Sequence, residues 1–294
     1  MASGVATNRT NIDLPVDISK EIIAKAQESS AIMSLARKIT LPGRGLAIPV
    51  ITSDPEAEWV DETGDKPVKN PGLSTKTLRA YKLAVIVPFS DEFKRDLSSL
   101  YEELVKRLPN ALGKKFDETV FGIENKPGSD FDNFASVTGQ EIGTATYDGL
   151  VAADTDISVH GGILNGFALS PQGKGVLLAA KDNNGRPLFI NNVAEGAVPV
   201  VLGARTHVTK GAYDAENNVV GFAGDWTQAI WGTVEGVQIS ISNEATLTYT
   251  EGGQTKTLNL WQKNMFAVRA EIEVGFRADT SVFNKLTATP EVSG

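Results

Sequence analysis

Residues 81–104 read YKLAVIVPFSDEFKRDLSSLYEEL, an extended run that passes straight into a helix. The extended part begins further back, at TKTLRAYKLAVIVPF (75–89). Ser90 then has the side chain to accept a hydrogen bond from a first-turn N–H, and Asp91 and Glu92 suit the positive end of the helix dipole. Phe93, Leu97, Leu100, Leu104 and Leu108 follow at intervals of four, three, four and four, which predicts one apolar stripe. Pro109 should bend or interrupt the helix, since it brings no N–H and its ring opposes the preceding turn. ALGKKFDETVFGI continues the stripe with Leu112, Phe116 and Val120 until ENKPGSDFDNF ends it. The prediction is a long helix with one bend.

Upstream, LAIPVIT (46–52) is a second extended run, and the two runs enclose a polar segment rich in Pro and Gly. Acids crowd its first half (Asp54, Glu56, Glu58, Asp61, Glu62, Asp65), and bases follow (Lys66, Lys69, Lys76, Arg79, Lys82). Folded back as a hairpin, the acidic limb would lie beside the basic one, each cross-strand pair adding modest stability. A ribbon of two strands is marginal in water and has too few apolar residues here for its own core. It is either a mobile surface loop or a limb that lies on a neighbouring subunit. Further upstream, Asp17 or Ser19 can cap a short helix bearing Ile22, Ile23 and Ala26, and Ile32, Met33, Leu35 and Ile39 form a second cluster after Ser29-Ser30. LPGRG (41–45) reads as a turn, and residues 1–16 are polar and irregular.

Downstream, SPQGKGVLLAAKDNNGRPLF (170–189) reads as a helix capped by Ser170 and Pro171 and ending at Asn183-Asn184-Gly185, then an extended run. VPVVLGARTHV and NNVVGFAGDWTQAIWGTV read as strands with Gly turns. In VQISIS, Val237, Ile239 and Ile241 face opposite to Gln238, Ser240 and Ser242. ATLTYT and TKTLNL are joined by Glu251-Gly252-Gly253-Gln254, a hairpin signal. In the last strand Phe266, Val268, Ala270, Ile272, Val274 and Phe276 face one way, and Arg269, Glu271, Glu273 and Arg277 the other. Helices and strands in this mixture predict an α+β fold.

The bulk composition narrows the function. A net charge of −8 with scattered Lys and Arg argues against a dedicated nucleic-acid binder, which gathers positive charge against phosphates. With no cysteine the chain forms no disulfide and uses no thiolate chemistry. No apolar run approaches the roughly 18–20 residues of a membrane helix. Of two histidines, His160 heads a His-Gly-Gly triplet that helps build an oxyanion hole in lipase-like enzymes, but its partner, a GxSxG serine, occurs nowhere. A histidine beside a turn glycine is the better account, and His207 reads as a half-buried strand residue. Gly173-Lys174-Gly175 lacks the spacing of a phosphate loop. The acids at 54–65, Asp154 and Asp156 lack calcium-loop spacing and read as solvated turns. Trp59, Trp226, Trp231 and Trp261 are too dispersed for a stacking platform and suit core or interface packing. The residues show no enzyme and no cofactor or metal site.

Three stretches resemble the major capsid protein family of tailed double-stranded DNA bacteriophages, the Hong Kong 97 fold. They are YKLAVIVPFSDEFKRDLSSLYEEL (81–104), SPQGKGVLLAAKDNNGRPLF (170–189), and GFAGDWTQAIWGTVEGVQISIS (221–242) joined to NMFAVRAEIEVGFRADTSVFNKL (264–286). The likeness runs from about residue 17 over most of the chain. It implies an N-terminal arm (1–41), an extended loop (42–88) reaching over an adjacent subunit, a peripheral domain with the spine helix (89–140 and 237–290), and an axial domain (141–236). The implied function is self-assembly into hexamers and pentamers of an icosahedral shell around the phage genome, in a virion assembled in the host bacterial cytoplasm. Partners would be copies of itself, a portal, a scaffolding protein and decoration proteins, with the DNA enclosed but not read by sequence. Glu58, Trp59, Asp61, Lys66, Lys69 and Arg79 become candidates for contact between subunits, the loop charges helping to dock it.

Two departures from the family shape further expectations. Many members carry a helical scaffolding segment at the N-terminus that a protease removes. A chain starting at Met1 with residues 1–16 irregular leaves no room for one, so a separate scaffolding protein is expected. Some members weld neighbours by a Lys–Asn isopeptide bond beside a buried Glu. Lys66 and Lys69 stand in the corresponding loop, but the Asn and Glu have no assignable match, and turn lysines are the other reading. The nearest alternative function is an encapsulin-type compartment of the same fold. A β-rich hydrolase or binding protein, or a minor vertex or decoration protein, would be a different class.

Overall fold

The computed structural model describes residues 30–43, 45–53, 59–60, 72–92, 97–182, 184–189 and 200–288. In chain order the main elements are α1 (Ala31–Leu35), β1 (Arg37–Thr40), β2 (Leu46–Ser53), β3 (Gly72–Leu78), β4 (Tyr81–Ser90) and α2 (Leu97–Val120). Next come β5 (Thr138–Glu141), α3 (Thr146–Val159), β6 (Gly166–Leu169), α4 (Pro171–Ala179), β7 (Val200–Val201), β8 (Ala204–Val208) and β9 (Val219–Gly224). The chain continues through β10 (Ala229–Thr233), β11 (Gln238–Ser242), β12 (Thr246–Glu251), β13 (Gln254–Asn259), β14 (Met265–Ala278) and β15 (Phe283–Thr287).

β14 organises the first sheet. Its alternation buries Phe266, Val268, Ala270, Ile272, Val274 and Phe276, as the period of two predicts, while Arg269 is exposed. β4 runs antiparallel along one edge from Ser90↔Met265 to Tyr81↔Val274. β10 and β11 share the other edge, and β1 adds in parallel to β10. Pro88 fits in β4 because that strand lies at a sheet edge, where a missing N–H leaves no central ladder bond unmade. The second sheet has the order β5-β15-β9-β6-β8-β7. β6 and β9 are buried at every residue, the pattern of strands covered on both faces. The sheets cut across the boundaries read from the sequence. Strand 229–233 belongs with β14, and 283–287 with the second sheet.

The spine helix α2 packs where the two sheets meet. Leu108, Leu112, Phe116 and Val120, four residues apart, are all buried. Phe116 sits among Phe131, Trp231 and Phe276 on the side of the first sheet, and Phe121 stacks on Phe222 of the second with centroids 4.5 Å apart. The helix runs unbroken through Pro109, so the expected interruption does not occur. One missing N–H is tolerated there because both flanking turns are held by buried Leu108 and Leu112. Ser90 accepts from Glu92 N–H at 3.4 Å at the start of a 3-10 turn, and the described part of the long helix runs from Leu97, so the join between the two lies outside the described residues. The side chains of Phe93, Leu97, Leu100 and Leu104 fall outside the described residues.

Two other elements differ from expectation. The helix after Ser170 ends at Ala179, short of Asn183, because Asp182 accepts from Asn184 and Arg186 N–H at 2.8 Å and closes a turn of its own. Asp154 and Asp156 lie on α3, not in turns. Ser170 caps α4 as read, accepting from Gly173 N–H at 3.0 Å while donating to Val220 C=O. The Gly252-Gly253 hairpin also forms, both residues at positive φ as the tight turn requires.

Candidate assembly surfaces

The chain's outlying segments are tied to the body by three polar arrangements. The first is the root of the β2–β3 ribbon, which pairs from Leu46↔Leu78 outward to Ser53↔Gly72 and, among the described residues, with no other strand. Arg277, on the polar face of β14, donates to Asp132 at 2.8 Å, Asp130 at 3.2 Å and the Thr77 carbonyl at 2.9 Å. Lys76 donates to the Ala278 carbonyl at 3.2 Å, and Arg79 lies 3.7 Å from Asp130. With Lys76 also 3.8 Å from Asp132, two bases of the predicted basic limb thus turn to acids on the body. Lys82 does likewise, reaching Glu271 and Glu273. β14 can pass under this root only because position 275 is glycine; a Cβ there would collide with the Arg79 carbonyl.

Arg277 is mostly buried while Lys76 is well exposed, so their deletions should differ. Arg277→Met is expected to lower subunit stability by about 2–3 kcal/mol, because it leaves two half-buried carboxylates facing each other. Lys76→Met should cost less than about 1 kcal/mol. Urea unfolding of the unassembled subunit measures both. Equal effects would show that the root is not organised around Arg277.

The second arrangement lies where the described chain begins. Asp117 of α2 is fully buried and takes four donors: Ser30 Oγ at 2.6 Å, Thr209 Oγ1 at 2.7 Å, Ala31 N–H at 2.9 Å and Ile32 N–H at 3.3 Å. Burial pushes its pKa up to about 6, against the pull of those hydrogen bonds. Ser30 also caps α1 through Met33 N–H at 3.1 Å. One carboxylate therefore joins the start of the described chain, the spine helix and the loop after β8. Nothing in the sequence reading singled out Asp117. Its only trace is a charge beside Phe116 at the border of an apolar stripe.

The third arrangement fixes the exit from α3. Asp225 accepts from Ile163 N–H, Asn165 Nδ2 and both N–H and hydroxyl of Thr227. Partial burial raises its pKa, but these donors outweigh it and the carboxyl stays below the usual range.

Of the residues proposed to meet a neighbour, Glu58, Asp61, Lys66 and Lys69 lie outside the described residues, as does the first predicted helix at 17–26. Trp59 is fully exposed and Arg79 is paired to Asp130 within the subunit. Trp226 and Trp231 are core, whereas Trp261 is 69% exposed beside the β12–β13 ribbon, another pair of strands with no further partner among the described residues. His160 caps α3, its Nδ1 2.8 Å from the Asp156 carbonyl, and His207 is half-buried in β8. Among the described residues no three of His, Asp and Glu gather into a metal-binding group.

Comparison with known proteins places these features in a family. The model of the phage capsid family matches residues 12–281. Probable major capsid protein gp17 of Mycobacterium phage L5 is 29% identical over 289 residues, covering 92% of this chain and 87% of that protein. The major capsid protein of Staphylococcus phage 80alpha is 24% identical over 279 residues, covering 92% and 83%. A solved structure from Microbacterium phage Oxtober96 superposes with a TM-score of 0.70 at 23% identity, over 89% of this chain and 91% of that one.

Proposed function

The chain belongs to the phage capsid family, and from that premise we propose how it builds its shell. It is a shell-forming major capsid protein with the Hong Kong 97-type fold, and its place is in the virion. The finer reading is that it closes into hexamers and pentamers around double-stranded DNA in the host cytoplasm. Of the arm (1–41) and extended loop (42–88), residues 30–41 and 81–88 are held in the body, and the rest reaches neighbours, with Glu58, Trp59, Asp61, Lys66 and Lys69 on the contact side. Arg79, held to Asp130, sets the angle at which the loop departs. A portal, a scaffolding protein and decoration proteins are the proposed partners.

The observation that carries this is the ribbon β2–β3, which leaves the body with no third strand beside it among the described residues and with Trp59 fully exposed beyond its end. Two strands alone are marginal in water. A neighbouring copy supplies the missing face, and permanent assemblies of this kind bury more than about 2,000 Å² per interface. The relatives named above are phage capsid proteins, which favours a genome container over an enzyme-filled compartment. Negative-stain microscopy of the full chain, expressed with and without its genomic neighbours, tests the reading. Closed angular particles are expected, and a protein that stays monomeric under both conditions removes it.

A further inference from the structure

Helix α3 is apolar on two faces. Leu150, Ala153 and Ile157 point into the second sheet and are fully buried. Tyr147, Val151 and Val159, with Thr155 among them, recur every four residues on the opposite side and are exposed, Val159 to 77%. Ile163, just past the helix, is 75% exposed. Contiguous exposed apolar side chains of this kind mark contact surfaces, whereas scattered ones do not. The stripe is bordered by Asp148, Asp154 and Asp156, and residues 146–159 contain no base.

The same sheet carries a complementary feature at its other end. α3 packs over β5, β15 and β9, on the β5 side, while the β7–β8 hairpin forms the far edge. That hairpin exposes Val200, Leu202 and Val208 together with Arg205, and Lys210 follows; residues 200–210 contain no acid. Leu202 turns the hairpin at φ 48°, followed by Gly203 at φ 80°. Such turns normally take Asn or Gly, since a branched side chain in the left-handed region is disfavoured. An exposed leucine at this position is a poor choice for a free turn and a good one for an apolar knob.

We propose that the acidic apolar stripe of α3 receives the basic β7–β8 hairpin tip of the next copy of this chain around a capsomer ring. Different patches on opposite ends of one sheet meet head to tail, the arrangement that closes rings and not isolated twofold pairs. Leu202 would seat against Val151 and Val159, and Arg205 and Lys210 would face Asp148, Asp154 and Asp156. The proposal rests on the shell reading above and adds which surfaces meet.

The absence of cysteine makes the test clean. Val151→Cys and Leu202→Cys are placed together in the full chain, particles are assembled with the genomic neighbours present, and a short bis-maleimide is added. The expected result on a denaturing gel is a ladder ending at five and six subunits, with neither single variant forming one. Particles that form normally without a ladder overturn the contact and leave the shell reading intact, as does cross-linking of Val151→Cys to itself. If wild-type chain yields no particles, the shell reading fails first and the contact with it. Should the double cysteine chain not assemble, charge reversal decides. Asp154→Lys and Arg205→Glu are each expected to cut particle yield about tenfold at unchanged subunit melting, and their combination to restore it. Lack of restoration overturns the pairing.

Discussion

Phe134→Ala is expected to destabilise the unassembled subunit by about 4–5 kcal/mol, the upper end for removing a buried aromatic ring. The reason is position. Phe134 is fully buried in the segment after the spine helix, and its ring serves both sheets at once. It stacks on Phe283 of β15 with centroids 4.5 Å apart and lies near Phe222 of β9 at 6.0 Å, both in the second sheet. It meets Phe276 of β14, in the first sheet, edge to face at 5.6 Å. Trp226 and Phe121 complete the surround. Each such pair adds about 0.5–1.5 kcal/mol beyond the area it buries. Five rings cannot relax together into the void, because they are anchored on separate elements. Phe134→Leu, which keeps much of the volume, should cost about half as much. Trp59→Ala, fully exposed in the subunit, should leave subunit stability unchanged. Guanidinium unfolding measures all three, and the melting temperature of Phe134→Ala should drop on the order of 10 °C. A cost below about 2 kcal/mol would mean that the two sheets are held together elsewhere.

How much of this was legible in the sequence depends on whether a side chain's role repeats along the chain. β14 was readable because six apolar positions alternate with a period of two and all six are buried, although Ala267 and Gly275 on the other phase are buried as well. Leu108, Leu112, Phe116 and Val120 were readable for the same reason at helical spacing. Helix α3 was not. Its fourteen residues include Gly149, two threonines, two valines and three aspartates, none of them strong helix formers. Apolar residues on both faces also blur the period that would have announced it. What hides the helix from a periodicity argument is the second apolar face now assigned to a neighbour. The ribbon root was half legible. The charges were visible, but Asp130 and Asp132 lie some fifty residues from the bases they hold, and no local rule links them. Asp117 was invisible for a related reason. Its partners come from residues 30–32 and 209, so its role exists only in the folded arrangement.

Asp117 gives the chain a pH dependence opposite in sign to that of an ordinary salt-bridged carboxylate. Burial raises its pKa from 3.8 to about 6, and the four hydrogen bonds only partly offset this. Between those values the folded state holds a proton that the unfolded state has lost. Stability from this group is therefore complete below about pH 3.8 and is lost as pH rises through about 6, a change of about 3 kcal/mol at 1.36 kcal/mol per unit. No charged side chain is among the causes of the shift. Lys114 and Glu118, on the adjoining turns of α2, pair with each other at 3.3 Å. Asp117→Asn cannot titrate, so subtracting its unfolding free energy from that of the wild type removes the common response of the other carboxylates. The difference is expected to move in favour of the wild type by about 2.5 kcal/mol on going from about pH 7.5 to about pH 4. At neutral pH the two should lie closer. The amide relieves a buried charge, yet it turns an NH₂ toward the Ala31 or Ile32 N–H and leaves that donor unmet, at about 1–3 kcal/mol. Ser30 and Thr209 can reverse their hydroxyls to accept from the protonated acid, which the backbone donors cannot do. Mild acid should thus tighten the joint between residues 30–32 and the spine helix. A difference that stays flat across this range, or moves toward the Asn chain in acid, would show that Asp117 remains ionised in the fold and that the joint is insensitive to protons.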